Sequence, residues 1–212
     1  KYIWYFAIGL HIILIVYFTI KFLLKLQMPK VFASYFIVYV GIAVAAVTAP
    51  AFEELAIGAG AFWFGFLTLI GLLVLVTIRY MKYKEIPEPA KPLFCIYAAP
   101  TSLCVAGYVQ SVTPKSREFL LAMLLVATVL YVLALVKAIS YLKLKFYPSY
   151  AAFTFPFVIS AIATKQTMVC LANMKQPIPM LRYVVLIETV IAVLFMIYTF
   201  IRFLQFIFVD HK

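Results

Sequence analysis

The chain has 212 residues, of which 67% are hydrophobic and 12% charged, and its formal net charge is +11. A soluble domain of that length has too little interior to hide so much apolar surface, so composition excludes one and points to an integral membrane protein. Nucleic-acid binding is excluded as the source of the positive balance, because the cations sit in short clusters between apolar runs and not along one face.

The chain opens on Lys1 and runs directly into apolar residues, with no initiator methionine and no small-residue cleavage site behind the first apolar stretch. That segment therefore reads as a membrane span and not as a secretory signal. A hydrocarbon core about 30 Å thick takes about 20 helical residues, and charge-poor runs of that length predict seven spans at 2–20, 33–51, 55–78, 92–111, 119–142, 149–172 and 181–208. Helix is the form expected, since a lipid-embedded backbone must satisfy its own hydrogen bonds and the runs lack the two-residue alternation of a barrel strand. The linkers "QMPK", "APAFEE", "KYKEIPEPAKP", "SVTPKSRE", "KLKFYPS" and "NMKQPIP" all contain proline and are too short for a second domain, so residues 1–212 read as one transmembrane domain of antiparallel hairpins. Cys95, Cys104 and Cys170 lie in apolar segments without metal-ligand spacing and read as packing residues; neither a metal nor a cofactor is expected.

Alternate linkers differ in charge. Lys21, Lys25, Lys30, Arg79, Lys82, Lys84, Lys91, Lys137, Lys143, Lys145, Arg202 and Lys212 fall at one end of the spans; Lys1, Lys115, Arg117, Lys165, Lys175 and Arg182 fall at the other. The positive-inside rule makes the richer end cytoplasmic, with the first span starting outside and the C-terminus inside. An outside start with an odd number of spans leads us to expect further chain upstream.

The spans also alternate in bulk. "GIAVAAVTAPA" (41–51), "YAAPTSLCVAG" (97–107) and "YAAFTFPFVISAIAT" (150–164) are rich in small residues, whereas "FWFGFLTLIGLLVLV" (62–76) and "FLLAMLLVATVLYVLALV" (119–136) are bulky. Small side chains allow close backbone approach or leave room for a lumen, so an inner ring of small-residue spans and an outer lipid-facing ring are expected. Pro100 and Pro156 lie inside two of the inner spans and Pro50 near the end of the third. Each removes a backbone hydrogen bond and bends its helix, which is tolerated where the freed groups face protein or water. Lys165 is a candidate pore-mouth cation that would concentrate anions, or a snorkelling lysine. Glu188 is expected to pair with Lys165, Lys175 or Arg182, and His11 to be an interfacial or packed neutral histidine sooner than a proton relay.

"AAPTSLCVAGY" (98–108) and "AAFTFPFVISAIAT" (151–164), separated by a bulky span, resemble the seventh and ninth helices of the tellurite-resistance/dicarboxylate transporter family, whose members include bacterial TehA and the plant slow-type guard-cell anion channels. The resemblance runs through all seven spans, with "AFTFP" its most specific element. It implies an all-α membrane fold of ten helices in five hairpins around a central pore, commonly trimeric, with both termini cytoplasmic. This chain resembles helices four to ten, so the three N-terminal helices are expected to be missing from it. An aromatic residue on the family's ninth helix closes the pore, and the matching residue is Phe155. Phe153, two residues away and on nearly the opposite face, is its nearest competitor.

The resemblance and the absence of a buried cation cluster together favour a channel or channel-like transporter for small anions, in the plasma membrane, with ease of dehydration setting selectivity. The alternative is a proton-coupled carrier for C4-dicarboxylates, tellurite or sulfite. A seven-helix receptor fits the short loops badly. An intramembrane enzyme lacks His-Glu-x-x-His, Gly-x-Ser-x-Gly and paired aspartates, so no enzymatic activity is expected.

Overall fold

Three of the seven spans are unbroken α-helices and three are interrupted, and that difference organises the fold. The structure is a computed structural model and describes residues 1–208. Lys212, assigned to the cation-rich end, and Asp210, the sole aspartate, lie outside the described residues.

Seven segments are long and apolar enough to cross a membrane: Tyr2–Leu23, Tyr35–Phe52, Leu55–Lys82, Glu88–Ser111, Arg117–Tyr141, Pro148–Asn173 and Leu181–Phe208. Among the described residues there are helices and no strands. Limits differ from the sequence-based ones by four residues at most, and the reasons are local. The third span continues past Ile78 for another turn because Arg79 is buried. The fourth begins early as a 3-10 segment, Glu88–Ala98. The fifth starts at Arg117 because the Ser116 hydroxyl accepts the Phe119 N–H at 3.2 Å, an N-cap that satisfies one orphan donor.

The third, fifth and seventh spans are continuous α-helices of 28, 25 and 28 residues. The first is α-helical to Phe18 and ends in a π turn, Thr19–Leu23. The second splits at Gly41 into Tyr35–Val40 and Ala43–Phe52. The fourth changes from 3-10 to α at Ala99, and the sixth changes from Pro148–Phe153 in 3-10 form to α from Phe155 onward. Pro100 and Pro156 therefore do not kink one continuous helix. Each is the second residue of an α segment, where its missing N–H would lack an intrahelical partner in any case.

Burial follows the small-residue pattern. In the second, fourth and sixth spans 50%, 83% and 56% of the most apolar stretch is buried; in the first, third, fifth and seventh the shares are 0%, 28%, 33% and 22%. The small-residue spans form the interior, and the bulky ones surround them and expose Leu, Ile, Val and Phe outward.

Side chains tie the ends together in the way the antiparallel hairpins require. At the cation-rich end the Tyr150 hydroxyl donates to the carbonyls of Tyr141 and Leu144 at 3.1 and 2.9 Å, and Tyr198 donates to Leu142 at 3.0 Å. These carbonyls lie at the end of the fifth span and just beyond it, where helix termini leave carbonyl groups in need of partners. At the opposite end Lys1 pairs with Glu54 at 2.6 Å and Tyr5 donates to the same carboxylate. The Lys1 ammonium, then the Tyr5 hydroxyl, hold the Glu54 carboxyl below the usual carboxylate range.

Gly58 on the third span is packed against the second and fourth. A Cβ there would stand 2.5 Å from the Ala49 Cβ and closer still to the Ser111 hydroxyl, whose oxygen donates to the Ala46 carbonyl at 2.5 Å. Two residues on, Gly60 faces open space. Gly58→Ala is therefore expected to lower the melting temperature of the detergent-solubilised protein by several degrees, from about 1–3 kcal/mol of overpacking. Gly60→Ala is expected to hold or raise it, by up to about 1 kcal/mol of helix propensity. Tryptophan fluorescence during heating reads both, and equal behaviour of the two variants would contradict this packing.

Candidate functional site

The interruptions of the three inner spans meet at one place. A cavity of about 640 Å³ is walled there by Gly41, Ala99, Pro100, Phe155 and Pro156, with His11 of the first span on a further side. Apart from His11 and Ser149 the walls are apolar, and among the described residues none that lines the cavity carries a fixed charge.

"AFTFPF" sends its aromatic rings two ways. Phe155 is 48% exposed and faces the cavity. Phe153 and Phe157 are fully buried on the other side: Phe153 lies 4.9 Å from the Tyr150 ring and 5.8 Å from Phe195, and Phe157 stacks on Phe195 at 4.6 Å. A turn at Thr154 (φ −98°, ψ −88°) separates the 3-10 and α segments here, and the four-residue spacing of Phe153 and Phe157 puts them on one face with Phe155 on nearly the other. Two phenylalanines fasten the sixth span to the seventh, and the one between them is left on the cavity wall.

Two serines hold the broken spans in place. Ser102 and Ser160 lie 3.0 Å apart and are buried. Ser102 donates to the Ala98 carbonyl at 2.8 Å, and Ser160 lies within reach of the carbonyls of Pro156 at 2.9 Å and Ala98 at 3.2 Å. They join the fourth and sixth spans beside the two prolines, where carbonyl groups most need partners. Each such bond contributes about 1 kcal/mol net. Sequence reasoning missed both serines, although each follows its proline within one helical turn.

It also missed Gly41. The available signal was a single glycine in the apolar run "VYVGIAV". A Cβ at Gly41 would clash with the Ile37 carbonyl and come within 3.0 Å of the His11 ring, so only glycine admits this approach. His11 Nε2–H donates to the Val38 carbonyl at 2.8 Å, in the last turn before the break. The histidine is thus packed, and it is also a cavity-wall residue, although it belongs to an outer span.

Lys165 lies further along the sixth span, toward the opposite end, exposed in a second cavity of about 600 Å³ that it shares with Lys115, Gln110, Gln166 and Asn173. Lys115 donates to the Val112 carbonyl at 3.0 Å. This second cavity is polar where the first is apolar, and both open against the fourth and sixth spans.

The expected pairing of Glu188 with Lys165, Lys175 or Arg182 does not occur: the one salt bridge among the described residues joins Lys1 to Glu54. Glu188 begins the stripe Glu188, Ala192, Phe195 and Thr199 that buries one face of the seventh span. That face meets the sixth span, and the carboxyl lies beside Thr164 with Tyr131 nearby. Lys165, the residue after Thr164, lines the second cavity instead.

The family model described as voltage-dependent anion channel (SLAC1) matches residues 1–204. No curated protein and no solved structure matches the chain.

The two phenylalanines are expected to separate in a stability test. Phe153→Ala removes a buried ring, which costs about 3–5 kcal/mol, and is expected to lower the melting temperature strongly. Phe155→Ala is expected to stay within a degree or two of the parent. A comparable loss in both would mean that Phe155 is a core residue.

Proposed function

Because this chain belongs to the voltage-dependent anion channel family, whose members are channels or transporters and not enzymes, we propose that it conducts small monovalent anions through a lumen among its second, fourth and sixth spans, closed by Phe155. The observation that carries this reading is the half-exposed Phe155 ring on an apolar cavity wall where all three inner spans break. An apolar ring in a narrow passage stops ions by offering nothing to replace their hydration water.

The chemistry of the wall supports weak-field conduction. With no fixed charge on the cavity, an anion that sheds water easily meets the smallest barrier. Two α segments begin at the wall, Ala99–Ser111 and Phe155–Asn173, and their N-terminal ends contribute positive potential without tight binding. Lys165 and Lys115 in the polar cavity raise the local anion concentration at the far mouth. On this reading the cation-rich end is cytoplasmic and the protein sits in the plasma membrane as a homotrimer, each copy with its own pore.

A proton-coupled carrier for C4-dicarboxylates, tellurite or sulfite is the competing mechanism. It would draw on His11 at the cavity or on the unpaired Oε2 of Glu188. A dicarboxylate carrier would also need cations at mid-membrane to hold two carboxylates.

Reconstituted in planar bilayers, Phe155→Ala is expected to raise anion conductance at least about tenfold, the effect of lowering the barrier by about 1.4 kcal/mol. The current should persist with equal pH on both sides. Conductance no greater than the parent's would remove Phe155 from the barrier, and current that vanishes without a proton gradient would favour the carrier. In the same variant, reversal potentials are expected to rank iodide and nitrate ahead of chloride; chloride ahead of both would indicate a strong-field binding site.

A further inference from the structure

At the cation-rich end, away from both cavities, residues 29–32 and 79–91 enclose a cleft of about 1160 Å³. Its lining carries five cations, Lys30, Arg79, Lys82, Lys84 and Lys91, against one carboxylate, Glu85, a net charge of +4. Lysines at membrane ends are ordinary, and exposed ones need no ligand. Arg79 is different.

Arg79 is 1% exposed. Its guanidinium carbon lies 4.5 Å from the Phe32 ring centre and 5.0 Å from that of Tyr80. One terminal nitrogen donates to the Pro29 carbonyl at 3.2 Å and the other to Tyr83 at 3.4 Å, while Nε has no partner. Among the described residues no carboxylate pairs with it, Glu85 included. Rings and carbonyls hold the guanidinium but leave its charge uncompensated, with four lysines on the same cleft adding to the repulsion. A buried cation in that position is stabilised by an anion and destabilised by its absence. The Tyr83 carbonyl belongs to the end of Arg79's own helix and the Pro29 carbonyl to residues 29–32, so Arg79 bridges the two segments that line the cleft.

We propose that this cleft is a binding site for a phosphate-bearing anion, with Arg79 as its floor and Lys30, Lys82, Lys84 and Lys91 as its rim. The cleft is too large for a single small inorganic ion, and its cations are spread around it, which suits a polyvalent group with several acceptor oxygens. A phospholipid headgroup entering from the leaflet and a soluble phosphate compound offer the same chemistry. No lining residue is shared with the apolar cavity, so the proposal does not rest on the conduction pathway.

The test uses the whole chain in nanodiscs and follows thermal unfolding. One arm adds inorganic pyrophosphate to phosphatidylcholine discs; the other replaces part of the phosphatidylcholine with phosphatidylglycerol. A rise in melting temperature with pyrophosphate identifies a soluble phosphate ligand, and a rise with phosphatidylglycerol identifies a headgroup. In whichever arm responds, Lys30→Gln with Lys84→Gln, both on the exposed rim, is expected to weaken the apparent affinity about tenfold or more. Lys137→Gln with Lys143→Gln, at the same end but outside the cleft, is expected to leave it unchanged. Absence of a shift in both arms overturns the proposal, and so does an equal loss in the rim and control variants, which would show general surface attraction.

Discussion

Inside a bilayer a backbone N–H or C=O without a partner costs several kcal/mol, and that constraint decides where this chain can depart from an α-helix. Apart from the π turn Thr19–Leu23 that ends the first span, the departures lie in the second, fourth and sixth spans, at Gly41, at Ala99 and at Thr154. The third, fifth and seventh spans, which face outward, have none. The interrupted spans are the ones whose small side chains let them pack inside the outer ring, so their loosened backbone meets protein or a cavity and not lipid. Ser102 and Ser160 then supply hydroxyls to carbonyls beside the prolines. Composition, break and location are one solution to one requirement.

The same arrangement creates the cavity. A 3-10 turn delivers "AFTFPF" with its rings divided, two into the seam with the seventh span and one onto the wall. Phe153 and Phe157 are four residues apart and share one face, and Phe155 between them falls on nearly the opposite face, a division that helical spacing itself gives. Its place on the wall of the cavity where the three inner spans break is what makes one phenylalanine among many a candidate barrier. The surrounding wall carries no fixed charge, and the lysines stand in the polar cavity and at the cation-rich end.

Much of this was legible in the residues. Seven apolar runs, the clustering of cations in alternate linkers and the alternation of bulk gave the spans, the two ends and the inner ring, because membrane solvation acts on composition directly. The "AFTFP" stretch pointed to Phe155 through family resemblance. What was illegible depended on three-dimensional neighbours. Gly41 interrupts a span without proline, and its reason is the His11 ring beside it. Pro100 and Pro156 were read as kinks within helices, whereas each opens a new α segment, since 3-10 turns carry no sequence mark as plain as proline itself. Glu188 was expected to find a cation at the membrane surface, and instead its helix face turns the carboxyl to Thr164. Single residues could not reveal these partners, because they come from other spans.

Conduction past Phe155 requires that the cavity beside it be open to water, although its ring is apolar. Cysteine accessibility tests it most directly: Phe155→Cys in the membrane-embedded protein, treated with a charged, membrane-impermeant methanethiosulfonate, against the parent, whose Cys95, Cys104 and Cys170 are buried. The account predicts modification of Phe155→Cys well above the parent's background. Failure of the charged reagent, together with labelling by a lipid-soluble maleimide, would show that Phe155 faces acyl chains and would contradict it.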